Sequence, residues 1–306
     1  MTARTAARAL LLAGGAALAA ACGPLATTPA PAAPPAPAVA TVPAAAPATA
    51  LPPTDPAAIG EMWPGYLNGY LPRTAWPDSR ALLPPPPAAG TPAFAADLAG
   101  LQELGALRAT PRGALAVRDA DLHFPAAANA FACALGVQVS ETATPHLYTL
   151  LRRTLVDAAG PTYAAKDHYR RTRPYAALNA PSCTPDEEAS LSKDGSYPSG
   201  HAAIGWAWAL VLTGIAPDRA DALLHRGRQY AQSRAICGVH WPSDVEAGML
   251  VGAAAVARLQ SDAVFRAQGG LAQQEIEVQR AAGALSTAQR GFNCASDMTP
   301  KRQIDR

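Results

Sequence analysis

Long runs of lysine and arginine are missing from this sequence, and charge of either sign is sparse. Charged residues fill 16% of the 306 positions, and the formal net charge is +2. A chain that tracks nucleic-acid phosphates needs a basic stripe, so no nucleic-acid polymer is expected as a partner. Beyond the first residues, uninterrupted apolar stretches of membrane-spanning length are lacking too, because Gly, Arg or Asp breaks each one. The cysteines stand at spacings that match no zinc-site pattern. Internal repeats are absent, and so is the apolar/polar alternation of half-buried strands. These absences exclude a nucleic-acid binder, a multi-span membrane protein, a zinc module and a sheet architecture. What is present is 49% hydrophobic residues, ample for the core of one large domain or two small ones.

The N-terminus reads as an export signal. "MTARTAAR" supplies Arg4 and Arg8, and "ALLLAGGAALAAA" supplies an apolar run ending in small residues. Ala19 and Ala21 form an A-x-A cleavage pattern, which makes residues 1–21 a signal peptide. Cys22 then heads the mature chain. This resembles a bacterial lipoprotein site, although Leu18 sits one place early and Ala19 holds the usual leucine position. The favoured expectation is secretion to the periplasm or beyond, with a lipid anchor through Cys22 as the alternative. Residues 22–57 are almost all Ala, Pro and Thr, too poor in core-forming residues to fold, and are expected to form a disordered tether. Residues 58–306 form the globular part. An exported chain meets oxidising conditions. Cys133, Cys183, Cys237 and Cys294 then favour two disulfides, whose pairing stays open among three choices; a free, buried Cys237 is the alternative.

The globular part reads as all-α. In "TPHLYTLLRRTLVDAAGP" Thr144 can cap, Pro145 suits the first turn, and Gly160-Pro161 stop the helix. "HAAIGWAWALVLTGI" (His201 to Ile215) is apolar on every side, as a helix inside a core must be. "DRADALLHRGRQYAQSRAICG" reads as a helix ending near Gly238, and Pro242 opens the next. Leu271, Val278 and Leu285 mark the apolar side of a last, amphipathic helix.

Three short segments join charge to a turn or a helix end. In "KDHYRRTRP" Lys166 and Arg173 are seven apart, so a continuous helix would project both from nearly one face. Pro174 would mark its end. The bland alternative is a solvated basic stripe that includes Arg170 and Arg171. In "GSYPSGHAAIGW" a Pro198-Ser199-Gly200 turn runs into the buried helix. Its first N–H groups lack intrahelical partners and favour an anion. Ser199 adds a hydroxyl, Gly200 lets backbone approach, and His201 can reach the same ligand; the bland alternative is an ordinary N-cap. In "SRAICGVHWPSD" Arg234 ends one helix, and His240 and Asp244 flank the start of the next. A helical turn there lets Asp244 accept the Nδ1 proton of His240 and leaves Nε2 free to attack. The bland alternative is a buried pair that only joins two helices. His123, His146 and His225 lie outside these segments, His168 stands close to Lys166 but should point elsewhere on the helix, and Trp206, Trp208 and Tyr197 read as core or pocket wall.

Together the segments spell K-x6-R-P, then P-S-G-H, then S-R-x5-H-x3-D. This pattern resembles the superfamily of type 2 phosphatidic acid phosphatases and vanadium haloperoxidases. "GSYPSGH" at Gly195 to His201 and "SRAICGVHWPSD" look like the bacterial class A non-specific acid phosphatases, with close similarity over about Phe131 to Ala255. Ala202 departs from that signature, which has threonine there. The resemblance implies a single helical catalytic domain over 58–306 with the superfamily's fold. It implies an exported acid phosphatase that hydrolyses small phosphate monoesters through a phosphohistidine. Lys166, Arg173 and Arg234 would bind the phosphoryl oxygens, helped by Ser199 and Gly200. His240 would attack, Asp244 would orient it, and His201 would protonate the leaving oxygen and then activate water. Neither a metal nor another cofactor is implied, since three cations would repel a divalent ion. The cations would depress both histidines and Asp244 would raise its partner, which points to an acidic optimum. Family members are often oligomers, and no interface is readable here. The alternative reading is a vanadium-dependent haloperoxidase that holds vanadate on His240.

Overall fold

The computed structural model describes residues 51–283. The signal peptide, most of the tether, Cys22, Leu285 and Cys294 lie outside the described residues. The described part opens with a short helix α1 (Pro56–Ile59), capped by Asp55, and a hairpin of β1 (Glu61–Trp63) and β2 (Tyr66–Leu67). There follow α2 (Ser79–Leu82), α3 (Pro92–Gly105), α4 (Pro111–Arg118) and α5 (Ala132–Leu135). The main body is α6 (Pro145–Ala159), α7 (Thr162–Tyr169), α8 (Pro174–Ala177), α9 (Pro185–Leu191), α10 (Gly200–Ile215), α11 (Ala220–Ile236), α12 (Pro242–Leu259) and α13 (Ala263–Ala281). The expected all-α class holds apart from the hairpin, whose strands are too short to show alternation. No described helix is long and apolar enough to cross a membrane.

The all-round apolar segment does become the central helix. α10 packs on α6, α11 and α12, and Ile204, Ala207, Trp208 and Leu212 are fully enclosed. Burying an indole leaves its N–H to be satisfied, and Trp208 Nε1 donates to the Leu151 carbonyl at 3.0 Å. α10 and α12 come close where Gly248 faces Ser199 and Gly252 faces Ala203. A Cβ on either glycine would lie 2.3 Å from a backbone oxygen of α10 or its cap.

Two expectations are corrected. Thr144 precedes α6 but its side chain does not cap it; its hydroxyl bonds Ser140 instead. The cap comes from Glu275 on α13, whose carboxylate accepts from the N–H groups of His146 and Leu147, each at 2.9 Å. On α13 the buried stripe is Phe265, Gln268, Gly269, Ala272 and Ile276, while Val278 is 64% exposed. Small residues let that stripe lie close to the core, with Phe265 and Ile276 as anchors. Spaced leucines identify a face but not which face finds a neighbour. A disulfide joins Cys183 to Cys237, so Cys237 is not free, and Cys133 is disulfide-bonded as well.

Candidate active site

Lys166 and Arg173 converge, but not from one helix face. α7 stops at Tyr169, and Arg170 takes a left-handed backbone conformation with φ 41°. The chain then turns, and Arg173 stands extended in front of Pro174. Lys166 is buried; its Nζ donates to the Gly195 carbonyl at 2.7 Å and lies 3.6 Å from Asp194 Oδ2. Burial, with Arg173 nearby, pulls its pKa down to about 8 against the pull of Asp194. Arg173 is buried as well. It donates from Nε to Leu191 O at 2.8 Å, from Nη2 to Asp194 Oδ1 at 2.5 Å, and from Nη1 to His240 Nε2 at 3.1 Å.

That last contact assigns the His240 tautomer. A guanidinium can only donate, so Nε2 accepts and the ring proton sits on Nδ1. Nδ1 faces Asp244 Oδ2 at 3.4 Å. The pair forms, though not through a helical turn at His240. α12 begins at Pro242, and Asp244 on its first turn folds back to accept the Trp241 N–H at 2.9 Å. The His240 backbone is held by the Arg234 carbonyl, which accepts its N–H at 3.3 Å. Burial lowers the His240 pKa well below its ordinary value, and Arg173, Lys166 and Arg234 lower it further. Burial raises that of Asp244, and Arg171 is the main opposing influence.

Arg234, on the last turn of α11, is 1% exposed. Its Nη2 reaches Glu187 Oε2 at 3.3 Å, while Nε and Nη1 have no hydrogen-bond partner among the described residues. Ser199 caps α10: its Oγ accepts from Ala202 N at 3.2 Å, leaving its proton to donate, and its own N–H donates to the Asp244 carbonyl at 2.9 Å. His201, on the first turn of α10, donates from Nε2 to the Ala120 carbonyl at 2.9 Å. Nδ1 is therefore the ring nitrogen left with a lone pair in the neutral ring. Ala120 follows Asp119, which Arg226 and Ser233 of α11 lock in place. Burial and then Arg234 lower the His201 pKa well below its usual value.

The structure thus brings Lys166, Arg173, Arg234 and His240 into one contact network, with Asp244 and Ser199 joined through hydrogen bonds. It also brings in residues that sequence reasoning missed. Asp194 and Glu187 sit on the cations. Arg171 is no part of a solvated stripe: it is largely buried and bonds Asp97 and Asp244. Arg170 alone is exposed. Among the described residues no group of three His, Cys, Asp or Glu side chains is arranged to hold a metal ion. The buried aromatics serve the core and its walls: Tyr197 donates its hydroxyl proton to Pro84 O at 2.9 Å.

Known proteins are similar to this chain. The PAP2 superfamily signature covers residues 143–265. A non-specific acid phosphatase of Providencia stuartii is 46% identical over 200 residues, 65% of this chain and 81% of that protein. An acid phosphatase of Zymomonas mobilis is 39% identical over 66% of this chain and 77% of its own length. A non-specific acid phosphatase of Salmonella typhi is 41% identical over 62% and 76%. With that identity spread across most of each relative, and with His240 and the cations gathered in one buried cluster, this chain belongs to the PAP2 superfamily and is an acid phosphatase homologous to the bacterial non-specific acid phosphatases.

Proposed function

We propose that this acid phosphatase is exported and hydrolyses phosphate monoesters without a metal ion, through a phosphohistidine on His240. The observation that carries the reading is the buried convergence on that ring. Arg173 touches Nε2, Asp244 faces Nδ1, and Arg234 lies buried with Nε and Nη1 unpaired among the described residues. Phosphoryl transfer asks a site for position and for neutralised charge. Lys166, Arg173, Arg234 and the N–H groups at the start of α10 supply both, with Ser199 and Gly200 at that helix end. Each arginine–phosphate contact of this kind is worth about 1.5–3 kcal/mol, roughly ten- to a hundredfold in rate if made only in the transition state.

His240, neutral at rest, attacks phosphorus with the Nε2 lone pair as the ester P–O bond breaks, once Arg173 Nη1 has turned from that nitrogen to the phosphoryl oxygens. Asp244 stabilises the charge that the ring gains. The leaving oxygen takes a proton from Nδ1 of His201. His201 then removes a proton from water, which attacks the phosphohistidine, releases phosphate and restores His240. Burial, and then the charge of Arg234, depress His201 at rest. A bound phosphoryl group offsets the cationic share of that depression and so favours the protonated acid when substrate arrives. The start of the sequence and the Cys183–Cys237 disulfide favour an exported protein, to periplasm or medium, with a Cys22 anchor as the variant of that reading. The names of the relatives favour hydrolysis over a vanadium haloperoxidase reading.

The test is p-nitrophenyl phosphate hydrolysis in EDTA from about pH 4 to about pH 8, for wild type and His240→Ala. Wild-type activity that survives chelation and disappears in the variant, with 32P trapped on wild-type protein alone, is the expected result. A folded wild type that is inactive in EDTA and regains activity with added metal would sink the metal-free reading.

A further inference from the structure

Arg171 lies between α7 and α8, and its guanidinium is inserted between two buried carboxylates from distant helices. Nη1 donates to Asp244 Oδ1 at 2.6 Å and to Ser243 Oγ at 2.8 Å; Nη2 donates to Asp97 Oδ2 at 2.7 Å. Its guanidinium carbon stands 5.2 Å from the centre of the Trp241 ring. Asp97, on α3, also accepts from the Ser243 N–H at 2.8 Å and the Ser243 hydroxyl at 2.6 Å, so α3 caps α12. Both terminal nitrogens of Arg171 are taken, which leaves it poorly placed to bind substrate phosphate.

We propose that Arg171 is a positioning residue for the reaction: it holds the Asp244 carboxylate ionised and turned so that Oδ2 faces His240. This rests on the phosphohistidine reading given above. The division of oxygens supports it. Oδ1 belongs to Arg171, while Oδ2 is left for His240 Nδ1 and the Trp241 N–H. A buried carboxylate without a countercharge takes up a proton. The charged and titratable groups around Asp244 are Arg171, with Asp97 of α3 behind it, His240 on its own segment, Lys166 of α7, and Tyr197 ahead of α10. Lys166 is engaged with Gly195 and Asp194, so Arg171 is the cation in contact with the carboxylate. An enzyme that works in acid needs its orienting carboxylate ionised there, and Arg171 meets that need.

The sign follows. Weakening Arg171 lets Asp244 protonate at a higher pH. Activity then fails sooner as pH falls, and the acid limb moves up. The experiment compares wild type, Arg171→Lys and Ser243→Ala, with His240→Ala as control. It reads thermal melting, kcat and KM on p-nitrophenyl phosphate across pH, and phosphoenzyme trapped by rapid quench. Lysine keeps a charge but cannot bridge both carboxylates. The expected result for Arg171→Lys is a loss of roughly tenfold or more in kcat near pH 5, with little change in KM and a smaller loss near pH 7.5. Ser243→Ala, which loosens Arg171 without removing charge, should shift the limb the same way by a smaller amount. An acid limb that coincides with wild type in a folded Arg171→Lys overturns the proposal. If that variant does not fold, the Ser243→Ala limb decides by the same criterion. Absence of a trapped phosphoenzyme in wild type would instead remove the phosphohistidine reading, an outcome distinct from an unshifted limb.

Discussion

At the scale of single residues, Arg234 is held in a state the resting fold does not favour. Its charge is buried, Nε and Nη1 find no acceptor among the described residues, and its one ion pair among them goes to Glu187, whose side chain is 38% exposed. Replacing a poorly paired buried charge by an apolar side chain of similar size is often stabilising, by about 1–4 kcal/mol. Arg234→Met is therefore expected to melt higher than wild type and to lose roughly a hundredfold or more in kcat/KM. A variant that melts lower and keeps its activity would show that the arginine serves packing. Residue types at the motif were legible in the sequence, because P-S-G-H and S-R-x5-H-x3-D are dense, ordered patterns. Arg171 was not. It stands beside Arg170, identical in type, and only the break of α7 at Tyr169 sends one side chain to solvent and the other between two carboxylates. Asp97 carried no signal at all, because it caps a helix nearly 150 residues away.

Between elements, the contact of α10 with α12 sets the site, since it joins Ser199 to Asp244 through a backbone hydrogen bond of 2.9 Å. Gly248 makes the approach possible. A Cβ there would stand 2.3 Å from the Ser199 oxygen and 2.9 Å from Ala202 Cβ. Gly248→Ala should destabilise by about 1–3 kcal/mol and lower kcat/KM by shifting the start of α10. Gly270→Ala is the comparison: it lies exposed on α13 with nothing near its Cβ direction, and should gain about 0.5–1 kcal/mol with activity retained. Equal effects from the two, read by melting and by rate, would refute the close-packing argument. Helix extents were well read for α6, α10, α11 and α12, where proline starts or long apolar runs mark them. At α7 the seven-residue spacing does not make one helix face, because the helix ends at Tyr169. At α13 the periodicity does not set the buried side, which its neighbours choose.

For the whole molecule, the Cys183–Cys237 bond spans 54 residues and encloses Glu187, Asp194, Ser199, His201 and Arg234. Closing a loop of that size restrains the unfolded chain by roughly 4 kcal/mol in the chain-entropy account. A Cys183→Ser/Cys237→Ser variant should melt about 5–10 °C lower; an unchanged melt would show that the bond adds nothing to stability. The helical class was legible from the all-apolar α10 segment, but the pairing was not, because spacing does not encode which cysteines meet. Nor does a net charge of +2 disclose that the cations of the candidate site travel with partners. Asp194 lies on Lys166 and Arg173, and Glu187 on Arg234. Under the proposed mechanism the site is then an anion exchanger whose counter-ions are tethered to it. Substrate enters by substitution, and the same carboxylates, at high effective concentration, reclaim the cations as phosphate departs.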